Sequence, residues 1–263
     1  VMPNGVVVNT EEGVPQGGPL SPLLSNIVLD ELDHELARRG HRFVRYADDA
    51  NIYVRSERAG KRVMASVTEF IEKRMRLKVI PAKSAVAKPE DRHFLGFRLK
   101  RKLVDGSIEV LLSKRSRDRI GERVRELIPR NWGSSLEVCI LRLNAYLVGW
   151  LGFFGICTLE VEMTLRAVDA HIRRRLRALT LKDWKRKRTI ARKLIEQGVK
   201  PRTAWRCVYE GRKSPWALSH APAVERGLRN AYFAERGLVS LLEKWKADAR
   251  YIAAPVQLTL PLG

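Results

Sequence analysis

The sequence predicts an α+β fold, in which a front part of mixed helices and strands is followed by a long helical part. Three observations support this prediction. Two segments rich in Phe, Val, Tyr and Ile, at 42–47 and 50–55, flank a tight acidic pair and lie between two helical patterns. From Ser113 onward the apolar residues recur at helical spacing. The chain is also 45% hydrophobic over 263 residues, which is enough to bury a substantial core.

The first predicted elements are a short strand at 6–9, a turn-rich loop at 13–19 and a helix. Ser21 suits the N-cap of this helix, Pro22 suits its first turn, and Gly40 marks its end. The apolar stripe of the helix consists of Leu24, Val28, Leu32 and Leu36.

A β-hairpin, a second helix and two further strands follow. The hairpin is predicted at 42–47 and 50–55, with Asp48 and Asp49 as the tight pair between its strands. Over 59–76 the helical spacing comes from Val63, Val67, Phe70 and Ile71. Strands are predicted near 94–99 and 108–112, which completes an α+β layer.

The back of the chain is predicted to be helical over 113–128, 135–157 and 160–179. A basic segment at 181–197 then ends at Gly198, with Pro201 beyond it, as helices commonly end. We therefore expect three regions, at 1–112, 113–180 and 181–263.

The excess of basic side chains predicts a polyanionic partner. Lys and Arg number 50 against 29 Asp and Glu, so the formal net charge is +21 and the pI is near 10.4. Residues 1–110 carry 19 basic and 15 acidic side chains, whereas residues 111–263 carry 31 and 14. This division suggests chemistry in the front and nucleic-acid binding in the back. Ribosomal proteins share such a composition, so charge alone does not define the function.

Cysteine usage and hydropathy indicate a reduced, cytoplasmic protein. Cys139, Cys157 and Cys207 are widely separated and lack the paired spacing of a zinc site, so we expect buried thiols. We see no signal-peptide pattern at the start. The most apolar stretch, 143–159, is shorter than the roughly 20 residues of a membrane span, which favours a buried helix.

Asp48 and Asp49 are the candidate catalytic and metal-binding residues. Carboxylates on a rigid turn are hard oxygen ligands that can hold Mg²⁺ against a nucleoside triphosphate. Asp is also common in ordinary β-turns, so an isolated pair would carry little weight. The surrounding motifs therefore decide how the pair is interpreted.

The acidic pair belongs to a series of four ordered motifs. The hairpin reads Tyr46-Ala47-Asp48-Asp49, which matches the Tyr-x-Asp-Asp box of reverse transcriptases. It follows Pro15-Gln16-Gly17-Gly18-Pro19-Leu20-Ser21-Pro22 and precedes Lys83-Ser84 and Phe94-Leu95-Gly96-Phe97. In this order and spacing the chain resembles a reverse transcriptase.

The resemblance implies roles for the residues around the acidic pair. Gln16 and Gly17 would line the template or nucleotide site, where glycine lets backbone amides approach nucleic acid. Tyr46 would pack beside the metal site, and Ala47 would leave room for the primer terminus. Lys83 would contact phosphate. The alternatives are that Gly17 only forms a turn and that Lys83 is an ordinary solvated lysine.

A second resemblance lies in the helical part. The segment Leu141-Arg142-Leu143-Asn144-Ala145-Tyr146-Leu147-Val148-Gly149-Trp150 resembles the maturase-specific thumb helix of group II intron proteins, which separates the chain from retroviral enzymes. Most of its side chains are expected in the core. Arg142, Asn144 and Tyr146 could still face RNA from another side of the helix.

A dense basic run follows this helix and includes Arg175. Basic side chains with an interleaved Trp suit phosphate contacts and base stacking. A solvated helix face is the alternative, but a cluster of one sign repels itself unless a polyanion screens it. The predicted RNA-binding residues are Arg142, Arg173, Arg174, Arg177, Lys182, Trp184, Lys185, Arg186, Lys187 and Arg188. The segment 205–216 is similar to the C-terminal region of the same proteins.

Over nearly the whole chain, the resemblance implies a bacterial group II intron reverse transcriptase and maturase that lacks a Cys/His-rich endonuclease module. Its fold would be a partial palm at 1–112, a helical thumb and maturase domain at 113–180 and a basic RNA- and DNA-binding extension. It would copy RNA into DNA with two Mg²⁺ ions and assist intron splicing. The implied partners are group II intron RNA, an RNA template with a DNA primer, and target DNA. No membrane is expected, a dimer is left open, and the location is the cytoplasm, at the nucleoid.

The resemblance is incomplete at the front. The family's first catalytic aspartate belongs to an earlier strand, and nothing before Val6 supplies it. We therefore expect a fragment with an incomplete metal site that is inactive alone and poorly soluble. The competing hypothesis is a non-enzymatic RNA-binding splicing helper that keeps the palm as a scaffold. A retron or diversity-generating enzyme is disfavoured by the maturase-like tail.

Overall fold

The computed structural model describes residues 18–102, 105–129, 133, 135–158, 160–211 and 213–248. The chain forms two compact units, the first ending at Lys88 and the second beginning at Pro89. Both contain helices and strands, so the α+β prediction is confirmed. The finer division into palm and thumb, with its boundary after Leu112, stays a prediction. The predicted boundary after Thr180 falls within one continuous helix.

The described part of the first unit, from residue 18, contains two helices around a β-hairpin. Its elements are α1 (Ser21–Arg38), β1 (Arg42–Tyr46), β2 (Asp49–Tyr53) and α2 (Glu57–Glu69), which continues as a π-helical turn over Phe70–Arg74. The strands pair antiparallel, from Arg42 opposite Tyr53 to Tyr46 opposite Asp49. The predicted strand at 6–9 lies outside the described residues.

Among the described residues, α1 contributes to the core of the first unit from Leu29 onward. Leu32 and Leu36 are buried with Val67 of α2, and Phe43 and Ile52 of the hairpin pack against them. The other two residues of the apolar stripe, Leu24 and Val28, are 44% and 47% exposed. The N-cap is Leu20 rather than Ser21, which is the first helical residue.

The second unit begins with a short 3-10 helix over Pro89–Asp91. A hairpin of β3 (Phe97–Arg101) and β4 (Ile108–Leu112) follows, close to the predicted strands. The strands pair antiparallel, with Phe97 opposite Leu112. Gly96 precedes β3 in a left-handed conformation, with φ at +85°. Its carbonyl accepts a hydrogen bond of 2.9 Å from the hydroxyl of Ser116, which joins the hairpin to the following helix.

After β4, the described residues of the second unit are mostly helical. The helices are α3 (Lys114–Leu127), α4 (Leu136–Phe154), α5 (Val161–Asp183), α6 (Lys187–Glu196), α7 (Pro201–Tyr209), α8 (Pro215–Leu218), α9 (Pro222–Gly227), α10 (Asn230–Ala234) and α11 (Leu241–Ala247). One core runs through this unit, with α3, α4 and α5 supplying many of its fully buried aliphatic side chains. The buried Asp169 of α5 caps α11 by accepting hydrogen bonds from the Ser240 hydroxyl at 2.6 Å and the Leu241 amide at 3.0 Å.

Helix α4 has an inner face that forms the centre of this core. Its buried residues include Leu143, Leu147 and Leu151. Among the described residues, α4 is also the one helix long and apolar enough to cross a membrane, with a mean hydropathy of 1.4, and a third of that stretch is buried. The middle of the helix and its C-terminal end are bonded within the unit, since Asn144 donates to the Gly237 carbonyl and Trp245 donates to the Gly155 carbonyl. These contacts support the prediction of a core helix.

Candidate functional site

The acidic pair lies at the tip of the first hairpin. The two-residue loop consists of Ala47 and Asp48, and Asp49 is already the first residue of β2, opposite Tyr46. The predicted loop was one residue further along, at Asp48 and Asp49. Ala47 occupies the left-handed region, with φ at +52°, which allows the tight reversal. Both carboxylates are exposed at this tip.

The hairpin tip is tied to α1 through Arg45. Its guanidinium donates hydrogen bonds to the Ala47 carbonyl at 2.9 Å, to the Asn26 side-chain oxygen at 2.9 Å and to the Asp33 carboxylate at 2.8 and 3.0 Å. The side chain is only 12% exposed. The Asp33 carboxylate raises the pKa of Arg45, so the clamp stays charged. The backbone immediately before Asp48 is therefore held against α1.

Sequence reasoning missed Arg45, although one signal was available. Side chains alternate along a strand, so Arg45 shares a face of β1 with Phe43, and both are partly buried while their neighbours are exposed. A charged residue on an inward face needs a polar partner. The partner, Asp33, lies on α1, and no short-range pattern pointed to it.

At this tip, the described residues offer two carboxylates as metal ligands. Their hard oxygen donors fit a divalent cation such as Mg²⁺, which also keeps several waters and substrate phosphates in its shell. Across the described ranges there is no group of three or more His, Cys, Asp or Glu placed to hold a metal ion. The donor chemistry therefore fits the ion, and the two aspartates would supply part of a coordination sphere.

The other predicted residues near the acidic pair are placed unevenly. Tyr46 is 62% exposed at the end of β1. Gln16 and Gly17 lie outside the described residues. Lys83 is exposed in a turn over residues 81–83, where its amide donates to the Ile80 carbonyl. The structure thus brings Tyr46, Ala47, Asp48 and Asp49 together on one turn.

The arginines of α5 mostly make internal contacts. Arg177 is 8% exposed and donates to the Leu228 carbonyl at 2.9 Å and to the Glu225 carboxylate at 3.1 Å. Burial lowers its pKa, although Glu225 opposes that effect. Arg175 is buried and donates to the carbonyls of Arg125 and Ile128. Arg174 stacks on the Trp216 ring at 4.2 Å, and Arg173 is partly buried. These contacts hold helices of the unit together.

An exposed basic surface remains at the end of α5 and along α6. It includes two residues that sequence reasoning missed: Arg192, which follows Arg188 by four residues on α6, and Lys193. Trp184 is partly buried beneath it, with the Lys193 ammonium 5.2 Å from its ring centroid. We call this the α6 basic surface; it consists of Lys182, Lys185, Arg186, Lys187, Arg188, Arg192 and Lys193.

The three α4 residues predicted to face RNA differ in their exposure and in their contacts. Arg142 is exposed. The Asn144 amide is occupied on both sides, since it donates to the Gly237 carbonyl at 2.7 Å and accepts from the Val239 amide at 3.0 Å. Tyr146 is partly buried, and burial raises its pKa. Arg142 alone of these three keeps an outward position.

Comparison with known protein families agrees with this geometry. Residues 3–99 match the model of the reverse transcriptase (RNA-dependent DNA polymerase) family, so the hairpin with its two aspartates belongs to a reverse transcriptase. Residues 117–195 match the group II intron, maturase-specific domain. No curated protein matches the chain. The chain belongs to the group II intron reverse transcriptases with a maturase domain, which confirms the predicted family and its activity as an RNA-directed DNA polymerase. Such domains bind nucleic acids, including intron RNA, and reverse transcriptases use divalent metal ions.

Proposed function

We propose that Asp48 and Asp49 hold the divalent metal used for DNA synthesis and that the α6 basic surface binds the intron RNA. The observation that carries the first part is the hairpin tip, where two exposed carboxylates stand on a turn that Arg45 ties to α1. The second part is supported by seven exposed cations on one surface of a unit that belongs to a maturase.

The residues at the tip would position the reacting groups. Mg²⁺ bound by Asp48 and Asp49, with two ions in the complete site, would activate the primer hydroxyl and neutralise the departing pyrophosphate. Ala47 has a small side chain, so it leaves space beside the carboxylates for the primer terminus. Tyr46 offers an exposed ring next to them. The roles of Gln16, Gly17 and Lys83 at the template or nucleotide rest on their motifs.

Primer extension on an RNA template with Mg²⁺ tests the catalytic part. The chain is assayed alone and together with a separately supplied front half of a related enzyme. We expect synthesis in at least one arm, and we expect Asp48→Asn to abolish it while RNA affinity changes by less than about twofold, because the carboxylate lies on the first unit and the cations on the second. Synthesis retained by Asp48→Asn would overturn the assignment.

The alternative is a non-enzymatic RNA-binding splicing helper. It is favoured by the composition of the hairpin tip, because the described residues supply two clustered carboxylates and not three. If neither arm of the assay yields DNA and the chain still binds intron RNA tightly with strong salt dependence, this alternative replaces the polymerase for the chain.

The remaining partners follow from the polymerase assignment. The substrates would be an RNA template with a DNA primer, and target DNA would bind the basic region beyond residue 180. The same proposal includes two Mg²⁺ ions, a cytoplasmic location at the nucleoid and independence from membranes.

A further inference from the structure

The outer face of α4 carries an exposed apolar seam. Leu141 is 71% exposed, Val138 39% and Val148 40%, and Ala145 and Gly152 are exposed between and beyond them. The opposite face of the same helix is buried in the core. Fully apolar exposure over four turns of a helix is unusual in a basic protein and indicates a contact surface.

The seam residues follow the spacing of a coiled-coil interface. Their positions are separated by three, four, three and four residues, which is the alternation of a and d positions in a heptad. This assigns Val138, Ala145 and Gly152 to a, and Leu141 and Val148 to d. Nothing lies within 4 Å of where a Cβ would stand on Gly149 or Gly152, so a second helix can approach that end closely.

The charges beside the seam select the partner. Glu137 occupies a g position and Arg142 the e position five residues later, and both are exposed. In a parallel pair of helices, a g residue of one chain faces the e residue five positions later in the other. Two copies of α4 would therefore form two Glu137–Arg142 ion pairs by symmetry. An antiparallel pair would place Glu137 near residues 151–156 of its partner, which carry no charge.

RNA fits this face poorly. The seam and its flanks offer Arg142 as their basic residue, whereas the α6 basic surface offers seven cations. Phosphate contacts need cations, and an apolar seam lacks them. We propose that the outer face of α4 pairs in parallel with the same face of a second copy of this chain. This inference does not depend on the proposed catalytic residues.

Charge reversal tests both the partner and the register. In sedimentation equilibrium of the RNA-free chain, we expect reversible dimers in the wild type. Glu137→Arg or Arg142→Glu alone should raise the dissociation constant at least about tenfold, and the double reversal should restore it. The matched controls, Glu196→Arg and Arg202→Glu, are exposed charge reversals on α6 and α7 and should leave it unchanged. A wild-type monomer, or a double variant no tighter than the singles, would overturn the proposal.

Two further variants keep the test independent of solubility and folding. Leu141→Glu should give a monomer with an unchanged melting temperature, because the side chain is already 71% exposed. Leu141→Cys at a d position should form a disulfide-linked dimer under oxidising conditions, whereas Met163→Cys, 75% exposed and off the seam, should not. Equal cross-linking of the Leu141→Cys and Met163→Cys variants would overturn the proposed pairing. If Leu141→Glu lost liposome or RNA binding without any change in dimerisation, the face would be assigned to that other occupant.

Discussion

Arg45 binds three groups through one guanidinium: the loop carbonyl of Ala47 and, on α1, the amide oxygen of Asn26 and the carboxylate of Asp33. The Asp33 contact is bidentate, which a planar fork can satisfy and an ammonium cannot. The position of the hairpin tip thus depends on side-chain geometry as well as on strand pairing. This makes Arg45 a positioning residue for the carboxylates proposed to bind metal.

Arg45→Lys should therefore impair catalysis while the charge is kept. We expect kcat for primer extension to fall by about 10- to 100-fold, because a small displacement of the metal ligands is costly, with little change in the affinity for RNA. The matched control is Arg42→Lys, at an exposed position of the same strand. Raising the Mg²⁺ concentration should partly rescue Arg45→Lys if loosened ligands are the cause. An unchanged kcat would show that strand pairing alone holds the tip.

Cys157 provides a prediction about pH. Burial raises the pKa of its thiol to about 12, from an ordinary value near 9. The thiol of the unfolded chain ionises at lower pH, so the stabilisation is complete below about pH 9 and is lost as the pH rises towards 12. We expect the free energy of unfolding to fall over this interval more steeply in the wild type than in Cys157→Ala, as measured by urea denaturation at fixed pH. Equal slopes would contradict the burial of this thiol.

Among the elements, the turn into β3 depends on a glycine. A Cβ on Gly96 would lie 2.5 Å from the Ser116 hydroxyl and 3.1 Å from the Phe154 ring, and the residue has a left-handed backbone. Gly96→Ala should destabilise the protein by about 1–3 kcal/mol. Gly121→Ala is the control, since this glycine lies within α3 with nothing within 4 Å of its Cβ position. That change should stabilise by about 0.5–1 kcal/mol. Thermal unfolding of both variants checks the opposite signs.

The basic run across α5 and α6 divides into structural and exposed residues. Arg177→Ala should destabilise the protein by about 3 kcal/mol, because it leaves Glu225 and the Leu228 carbonyl without their buried partner. Arg188→Ala removes an exposed side chain, so it should leave the melting temperature within about 1 °C and weaken RNA binding. Denaturant unfolding and filter binding separate the two effects. If Arg177→Ala lost RNA affinity without losing stability, its contacts would not be structural.

Local patterns predicted the elements better than their surroundings. Apolar spacing located α1, α2 and the strands to within a few residues, because helix and strand periods are local properties. The same spacing put Leu24 and Val28 on one apolar stripe with Leu32 and Leu36, but of these four the described structure buries Leu32 and Leu36 and exposes the other two. Arg177 shows the reverse limit. It belongs to a run of basic residues that suggests one exposed surface, but Arg177 is paired with Glu225, which lies 48 residues away. A separation of that length leaves no pattern in the sequence.

The site could be predicted to the same extent. The motif Tyr46-Ala47-Asp48-Asp49 identified the carboxylates, because the chemistry of metal binding restricts the residue types. The hairpin loop lies one residue earlier than predicted, at Ala47 and Asp48. Its position depends on the register of the two strands, which the hairpin sequence alone leaves ambiguous by one residue. The role of Arg45 could be recognised only from the contacts between α1 and β1. Motifs thus located the chemistry, and tertiary contacts determined how it is held.

For the whole molecule, the net charge of +21 is the property with the widest consequence. Phosphates bound by cations release counterions, so RNA affinity should fall linearly with salt on a double-logarithmic scale. The location of the cations matters as well as their number. Triple substitution of Lys185, Arg188 and Arg192 by Ala, all on the α6 basic surface, should reduce the slope by about 2–3, at about 0.7–0.9 for each phosphate contact.

The matched variant changes Arg58, Arg62 and Lys88 to Ala, which are exposed cations of the first unit. Both variants lose three positive charges, so any difference between their slopes reports where RNA binds and not how much charge the protein carries. We expect the first-unit variant to keep the wild-type slope, measured by filter binding with intron RNA between 50 and 200 mM salt. Equal reductions in both variants would mean that RNA responds to net charge alone, and the α6 basic surface would then have no special part in binding.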